Sequence, residues 1–395
     1  MMKIGIITLV GDNYGNKFQN YAVEQLLGEY GQVVTYRVQE QPRAATVVQQ
    51  RTLLQKLRPA YIREVFRCRL MYRYDITNTE RSILGNLWYV QTHKKALLAA
   101  KDRRSRKFAA YQQDFLHLSP RVITFENCRE PEWNESHDLF VCGRDQIWNP
   151  TYATTSELAF LSFARGKALA LAPSFGLSEI PEDAKDSYKT WLGNIDVLSV
   201  REEAGQRIIR DLTGRGAALL LDPTMAIEPA RWEALAKAPE TNLPERYILT
   251  YFLGRVNRDY KKKIRQISRQ TGLPVVNLFD IEQPDYYSFD PNEVLYAIRH
   301  ASLVLTDSFH GTVFSILFRR DFLVFQRNEG KLSMSSRLTT LLKKFGLEAR
   351  MLSGEAVPAE TIPASRWEEV ARILDQERRR TRAYVSEGVT NLTKK

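Results

Sequence analysis

Short apolar runs alternate with stretches of helical periodicity along most of the chain, the pattern of βαβ units that build parallel sheets. In the first half the runs predict strands at 3–9, 33–38, 139–142, 167–172, 197–200 and 218–221. Helices fill the gaps; the plainest, at 18–30, gathers Tyr21, Ala22, Leu26 and Leu27 on one side and turns Glu24 and Glu29 away. The alternation stops after Leu221, where DPTMAIEPARWEALAKAPETNLPERY carries four prolines in 26 residues around one short helix. Such a stretch reads as hinge-like and marks a domain boundary. Beyond it come strands at 247–252, 275–278, 303–306 and 322–325 and helices near 260–271, 291–301 and 311–318. The chain closes with a long charged helix at 364–382 and a frayed tail from Glu387. The expectation is an α/β protein of two similar domains in tandem, 1–225 and 247–395, joined by a linker at 226–246.

Composition narrows the class. At 395 residues the chain is long enough for two domains of about 100–200 residues each. Its 44% apolar and 11% aromatic content is that of a globular core, and it holds no run of about 18 uncharged apolar residues able to cross a bilayer. The N-terminus MMKIGIITLVGDN reads as a first strand and not a signal peptide, because its apolar stretch is short and no small-residue cleavage site follows. A cytoplasmic location is expected. Cys68, Cys128 and Cys142 are scattered without C-x-x-C spacing, which points to buried free thiols and not to disulfides or zinc. The formal net charge is +11, and residues 51–110 alone hold 15 Lys and Arg against 4 Asp and Glu, while the remainder has 42 of each. The whole excess therefore lies in one segment, with Tyr61, Phe66, Tyr72, Tyr74, Trp88 and Tyr89 interleaved.

In an open parallel sheet, ligands gather beyond the carboxyl ends of the strands, where helix N-termini direct N–H groups and a partial positive charge at them. Four stretches stand there. GDNYGN at 11–16 has neither dinucleotide nor Walker spacing; it is a tight turn with Asn16 capping the next helix, or a cradle for an anionic or hydroxyl-rich ligand. DLFVCGRDQIWNP at 138–150 ends a strand in Arg144, Asp145, Gln146, Trp148 and Asn149, which are site residues or a salt-bridged loop end. In LSVREEAGQRII at 198–209, Arg201 follows a strand directly and Glu202 and Glu203 open the next helix. That arginine is placed to hold a carboxylate or phosphate, or to pair with a neighbouring acid. In TDSFHGTVFS at 306–315, His310 stands at a strand-to-helix joint, with Asp307 or Ser308 as the helix cap and Gly311 leaving room for close approach to the backbone. A lone histidine is most often structural; at a helix N-terminus its neutral form is favoured and it can exchange a proton near neutral pH. Arg327, Lys331 and Arg337 follow the next strand, so cations collect along the same edge. His93, His117, His137 and His300 lack metal-binding spacing and no G-x-S-x-G elbow is present, so neither a metal site nor hydrolase chemistry is expected.

Taken in order, VGDNYGNKFQNYAVEQLL, DLFVCGRDQIWNP, PSFG at 173–176, LSVREEAG, LLDPTMAIEPARW, LTDSFHGTVFSILF and SMSSRL resemble the polysaccharide pyruvyl transferase family across both halves. The resemblance implies two Rossmann-like domains facing a cleft, as in glycosyltransferases of the GT-B type, with the acceptor on the first, the donor on the second, and the final helix crossing back. It implies transfer of the pyruvyl unit of phosphoenolpyruvate to two hydroxyls of a sugar of a cell-surface polysaccharide, giving a cyclic ketal and phosphate, with no metal or nucleotide cofactor. On the matching positions His310 is the acid/base and Arg201 the donor-binding arginine. Lys331 is a downstream cation on the donor with Arg327 behind it, and Tyr14, Gly15 and Asn16 form the first-domain loop. Asp145, Gln146, Ser308, Gly311 and Arg337 complete the expected substrate-binding set. Where many members carry Arg-Leu before the histidine this chain has Ser308-Phe309, and it has Gly-Arg-Asp-Gln where relatives have Gly-Ser-Asp-Gln; Arg144 is expected to compensate. The donor's own chemistry agrees, since a carboxylate and a phosphate on one small skeleton need more than one cation, helix N-termini and a proton donor.

The basic segment reads as a solvated helical face or, in YIREVFRCRLMYRY at 61–74, as an amphipathic helix in which Ile62, Val65, Phe66 and Leu70 keep helical spacing and Arg63, Arg67, Arg69 and Arg73 flank them. Such a helix suits an anionic membrane surface. With lipid-linked acceptors common in the pathways of the resembled family, peripheral docking at the inner face of the membrane through 51–110 is expected. Nucleic acid is not an expected partner, since no RNP, helix-turn-helix or zinc motif accompanies the charge. The rival readings on the same fold are a sugar-nucleotide glycosyltransferase and a non-catalytic glycan- or anion-binding relative. The oligomeric state is left open.

Overall fold

The computed structural model describes residues 1–8, 10–40, 83–143, 145–152, 155–254, 256–326, 335–352 and 361–394. Within them β1 (Lys3–Ile7), β2 (Gln32–Val38), β3 (Leu118–Ile123), β4 (Leu139–Cys142) and β5 (Ala168–Ala170) pair in parallel in the order β3-β2-β1-β4-β5. A parallel bridge from Leu169 to Val197 carries the sheet on to β6 (Ser199–Val200) and β7 (Ala218–Leu219). The second sheet, β8 (Ile248–Tyr251), β9 (Val275–Asn277), β10 (Leu303–Thr306) and β11 (Phe322–Val324), runs β11-β10-β8-β9, again parallel. Strands such as LFVC in β4 are apolar and buried throughout, because a parallel sheet is covered on both faces. This is the expected α/β architecture of two parallel-sheet domains facing a cleft.

Each sheet reverses its strand order once. The chain leaves β1 toward β2 and returns on the other side to β4; it leaves β8 toward β9 and returns to β10. A reversal opens a crevice beyond the carboxyl ends of the two strands that flank it. The turns after β1, β4, β8 and β10 all line one cavity, so the two crevices meet face to face.

One core joins the sheets. Phe18, on the helix Tyr14–Gly28, lies 4.7 Å from Phe314 and 5.8 Å from Trp232 between ring centroids. Trp232 belongs to the proline-rich stretch that reads as hinge-like, yet it is fully buried and donates from Nε1 to Thr224 O at 2.9 Å. Packing of that tryptophan, which a proline count does not register, anchors the stretch.

Several boundaries differ from the apolar pattern. The first helix begins at Tyr14 because Asn13 caps it, accepting from Asn16 N at 2.8 Å; Asn16 is in the first turn and is not the cap. The last helix runs Ala364–Thr393, so the expected tail from Glu387 is helical. Val385, Val389 and Leu392 give it a buried stripe, and Tyr384 Oη donates to Ala170 O at 2.8 Å, bringing the chain's end back to the first sheet. In the basic segment, residues from Ile83 onward enter a 33-residue helix, Ile83–Phe115; the stretch 61–74 and Cys68 lie outside the described residues. Cys128 and Cys142 are buried free thiols. Among the described residues no helix is long and apolar enough to cross a membrane.

Candidate active site

The cavity where the crevices meet measures about 460 Å³. Thr8, Gly11 and Asn13 reach it from the turn after β1, Asp145 and Gln146 from that after β4, Leu253 from that after β8, and Asp307 to His310 from that after β10. Local hydrogen bonding shapes the last of these turns. Ser308 caps the helix Phe309–Leu317, its Oγ accepting from Gly311 N at 3.3 Å, while Asp307 turns back to accept from Leu253 N at 2.7 Å and Gly254 N at 2.8 Å. His310 therefore enters in the first helical turn, with only 5% of its surface exposed. Gly15 lies against its ring, where an added Cβ would overlap Nδ1 and Cε1; the approach of the two domains at this point requires glycine.

Beside His310 stands a fully buried carboxylate. Asp222 caps the short helix Pro223–Ala226, its Oδ1 accepting from Thr224 N at 2.9 Å and Thr224 Oγ1 at 2.6 Å. Its Oδ2 accepts from Gln19 Nε2 at 2.5 Å and from Arg201 Nη1, and lies 3.8 Å from His310 Nε2. Arg201 is held on its other edge, Nε donating to Ala172 O at 2.9 Å. Asp145 pairs with Arg337 and lies 3.7 Å from Arg201, and its backbone N donates to Gln19 Oε1 at 2.9 Å. One glutamine thus ties the two carboxylate positions together. Gln146 sits in the left-handed region at φ +55°, with Oε1 accepting from Asn149 Nδ2 and Tyr152 Oη, each at 2.8 Å; strain of this kind persists only where surrounding bonds enforce it.

Burial sets the protonation states. It pushes His310 below its ordinary value, opposed by Asp222 and Asp145 and reinforced by Arg201 and Arg337, so the neutral form of the ring is favoured. Burial acts in the opposite sense on Asp145, but Arg337 and Arg201 overcome it and hold that carboxyl well below the usual range. Burial raises Glu202, offset only in part by Arg201, Arg337 and the bonds it accepts from Ser174 Oγ at 2.9 Å and Phe175 N at 2.8 Å. His310 Nε2, Arg201 Nη2 and Glu202 Oε2 are buried with no hydrogen-bond partner among the described residues. Each such atom costs about 1–3 kcal/mol; His310 is on the cavity wall, and an unsatisfied ring nitrogen there suits a site that receives a polar ligand.

The sequence pattern of the family described as polysaccharide pyruvyl transferase matches residues 13–329, a span that holds Gly15, Asp145, Arg201, Asp222 and His310. The chain belongs to that family. No curated protein matches it in sequence. Solved structures with a similar course include the UDP-N-acetylglucosamine 2-epimerase from Rickettsia bellii, at 9% identity over 99% of this chain and 97% of that one with a TM-score of 0.44. The E. coli ADP-heptose lipopolysaccharide heptosyltransferase II matches at 12% identity over 95% of this chain and 99% of that one, TM-score 0.36. The UDP-GlcNAc 2-epimerase from Neisseria meningitidis matches at 11% identity over 95% and 91%, TM-score 0.40.

For a polysaccharide pyruvyl transferase family member, the residues nominated from sequence divide clearly. Gly15, Asn16, Asp145, Gln146, Ser308, His310 and Arg337 wall the cavity. Arg201 stands behind that wall, bound to Asp222. Gly11, not nominated, joins the wall, whereas Gly311 faces inward to Thr306 and Tyr251, where a Cβ would not fit; its role is close packing on the strands. Tyr14 is also corrected: it is fully buried, its Oη donating to Phe289 O at 2.8 Å and its ring packed 4.9 Å from that of Phe108, so the aromatic core takes it up. Arg144, Arg327 and Lys331 lie outside the described residues. Sequence reasoning missed Asp222, Gln19 and the cavity-lining Arg37. Asp222 carried a signal, an Asp-Pro directly after a strand, which is a helix cap; Gln19 carried another, a polar residue on the apolar face of its helix. Among the described residues, no group of three or more His, Cys, Asp and Glu side chains could hold a metal ion.

Proposed function

We propose that this chain transfers the pyruvyl unit of phosphoenolpyruvate to two hydroxyls of a sugar, on a cell-surface polysaccharide or its lipid-linked precursor, with His310 moving the protons. The observation that carries the reading is a buried imidazole on the cavity wall, with Nε2 3.8 Å from Asp222 and its Nδ1 edge against Gly15. A donor bearing phosphate and carboxylate brings negative charge beside the ring, which favours the imidazolium with Asp222 next to it. Donor binding and proton uptake are then linked. The imidazolium gives its proton to the methylene carbon of the enol and leaves C2 electrophilic; the first sugar hydroxyl adds to C2 and returns its proton to His310. The C2–O bond to phosphate breaks, the second hydroxyl adds at C2, and its proton departs with the phosphate. Donor plus diol becomes ketal plus phosphate, the two hydroxyl hydrogens ending on the methyl group and the phosphate, and no cofactor is called on.

Arg337 on the wall and the helix N-terminus at Ser308 supply positive ends for the donor, and Arg201 adds its charge from behind the wall; Lys331, Arg327 and Arg144 are the further cations of the proposal. Gln146, Tyr152 and Arg37 line the first-domain side and suit a hydroxyl-rich acceptor. Phosphate release from phosphoenolpyruvate across a panel of sugar acceptors tests the reading. Release should require an acceptor and fall at least about 100-fold in His310→Ala with the fold retained. Unchanged release in that variant removes His310 from the mechanism, and turnover of a nucleotide sugar in place of phosphoenolpyruvate replaces the donor. Peripheral docking on the cytoplasmic face of a membrane belongs to the same proposal, supported by Leu84 and Trp88, 77% and 68% exposed one turn apart on the helix Ile83–Phe115. Absence of sedimentation with anionic vesicles at low salt contradicts it.

A further inference from the structure

The helix Ile83–Phe115 touches both halves of the molecule. On the first-domain side Lys17 Nζ donates to Gln112 Oε1 at 2.8 Å. On the other, Lys107 Nζ pairs with Glu293 at 2.7 Å and Arg103 Nη1 with Asp285 at 3.2 Å. Between these contacts the guanidinium of Arg104 enters a cage of rings, its central carbon 4.6 Å from the centroid of Tyr14, 4.7 Å from Phe108, 5.0 Å from Tyr287 and 5.3 Å from Phe279. Nη1 donates to Tyr14 Oη and to Tyr287 O, each at 2.7 Å, while Tyr14 Oη donates to Phe289 O at 2.8 Å.

An apolar side chain would fill this cage with less desolvation. What the guanidinium adds is direction: its two N–H groups reach a first-domain phenol and a second-domain carbonyl, so one relative placement of the two satisfies both. Tyr14 immediately precedes Gly15, which has no spare room against the His310 ring. We propose that Arg104 is a positioning residue of the active cleft, locking Tyr14 to the second domain at Tyr287 and Phe289 so that Gly15 stays seated on His310 and keeps water from it. The proposal rests on the reading of His310 as the proton-transfer group, and it gives the charged insert a function inside the molecule. A displacement of about 1 Å at such a contact is enough to lower turnover substantially.

The test compares Arg104→Met, which keeps the packing, Arg104→Lys, which keeps the charge, and Arg106→Ala, whose target is exposed and pairs at 3.0 Å with Asp102 on its own helix. The first readout is the titration of His310 followed by NMR of nitrogen-labelled histidine, which needs no substrate; the groups facing that ring, Asp222, Asp145, Arg201 and Arg337, are the same in every variant. Arg104→Met should raise the His310 midpoint toward about 6.5 as water enters, with Arg104→Lys intermediate and Arg106→Ala as wild type. The second readout is steady-state kinetics: Arg104→Met should lower kcat about tenfold with the donor KM changed less than about threefold. If Arg104→Met only lowers the melting temperature while the His310 midpoint and kcat stay at wild type, Arg104 is a staple and the proposal fails. Should that variant not fold, Tyr14→Phe cuts the bond from Arg104 to Tyr14 and the bond from Tyr14 to Phe289 O with the rings kept, and is held to the same outcomes. If the wild type proves inactive with phosphoenolpyruvate, the functional reading fails on its own, and the His310 titration still decides whether Arg104 positions the cleft.

Discussion

Arg201 and Arg104 both carry charge into the interior, and they are accommodated in opposite ways. Arg201 is held among acids, bonded to Asp222 and 3.7 Å from Asp145, with its side chain 1% exposed. Arg104 is half-buried among four rings and has no carboxylate partner among the described residues. The acid-paired arginine sits where charge must stay balanced next to a titrating group; the ring-caged one sits where two domains must be held in one placement. Removing a partner should therefore cost most at the first site and act mainly through geometry at the second.

The largest effect is expected from Asp222→Ala, which leaves Arg201 buried without its partner and strips the cap from Pro223–Ala226; denaturant unfolding should show a loss of about 3–5 kcal/mol. Gly15→Ala, which forces a methyl group into the His310 ring, should cost about 1–3 kcal/mol by overpacking and abolish turnover. Arg104→Met should cost less, about 1–2 kcal/mol by the same measurement. If it costs as much as Asp222→Ala, the contrast between the two arginines is wrong.

The smallest expected effect is on pH dependence, and it separates the regions. His310 has a lowered folded value, so below about pH 6.5 the unfolded chain takes up the proton first. Its contribution is therefore full above that pH and is lost on acidification until the folded ring protonates too. The cage holds nothing that titrates in this range, Tyr14 being pushed up to about 12 by burial. Unfolding curves at several pH values should show His310→Gln flattening the acid slope, and Arg104→Met flattening it less, only through the rise in the His310 midpoint. Part of the slope should survive in His310→Gln, because burial lowers His137 to about 4 as well.

What could be read from the residues follows the same divide. β4 and β10 were legible to the residue, since each is a short apolar run, LFVC and LVLT, entered from a polar neighbour. β3 was not, because LSPRVI carries Pro120 and Arg121 and lies at the sheet edge, where pairing and not hydrophobicity makes the strand. His310 and Asp145 were legible because strand ends are where sheets place ligands, and Arg337 because cations gather in the sequence after β11. Asp222 was hidden in a proline-rich stretch whose tryptophan turned out to be core. Arg104 was hidden for a different reason: in a run of 15 basic residues each one looks solvated, and only the fold reveals that rings from distant segments close around it.

The central claim is that the cavity between Gly15 and His310 receives an anionic donor and couples its binding to protonation of that histidine. Calorimetric titration with phosphoenolpyruvate in buffers of different ionisation enthalpy measures it directly. Near neutral pH the wild type should take up about one proton more than His310→Gln per donor bound. Equal proton uptake in the two proteins, with donor bound by both, would contradict the account.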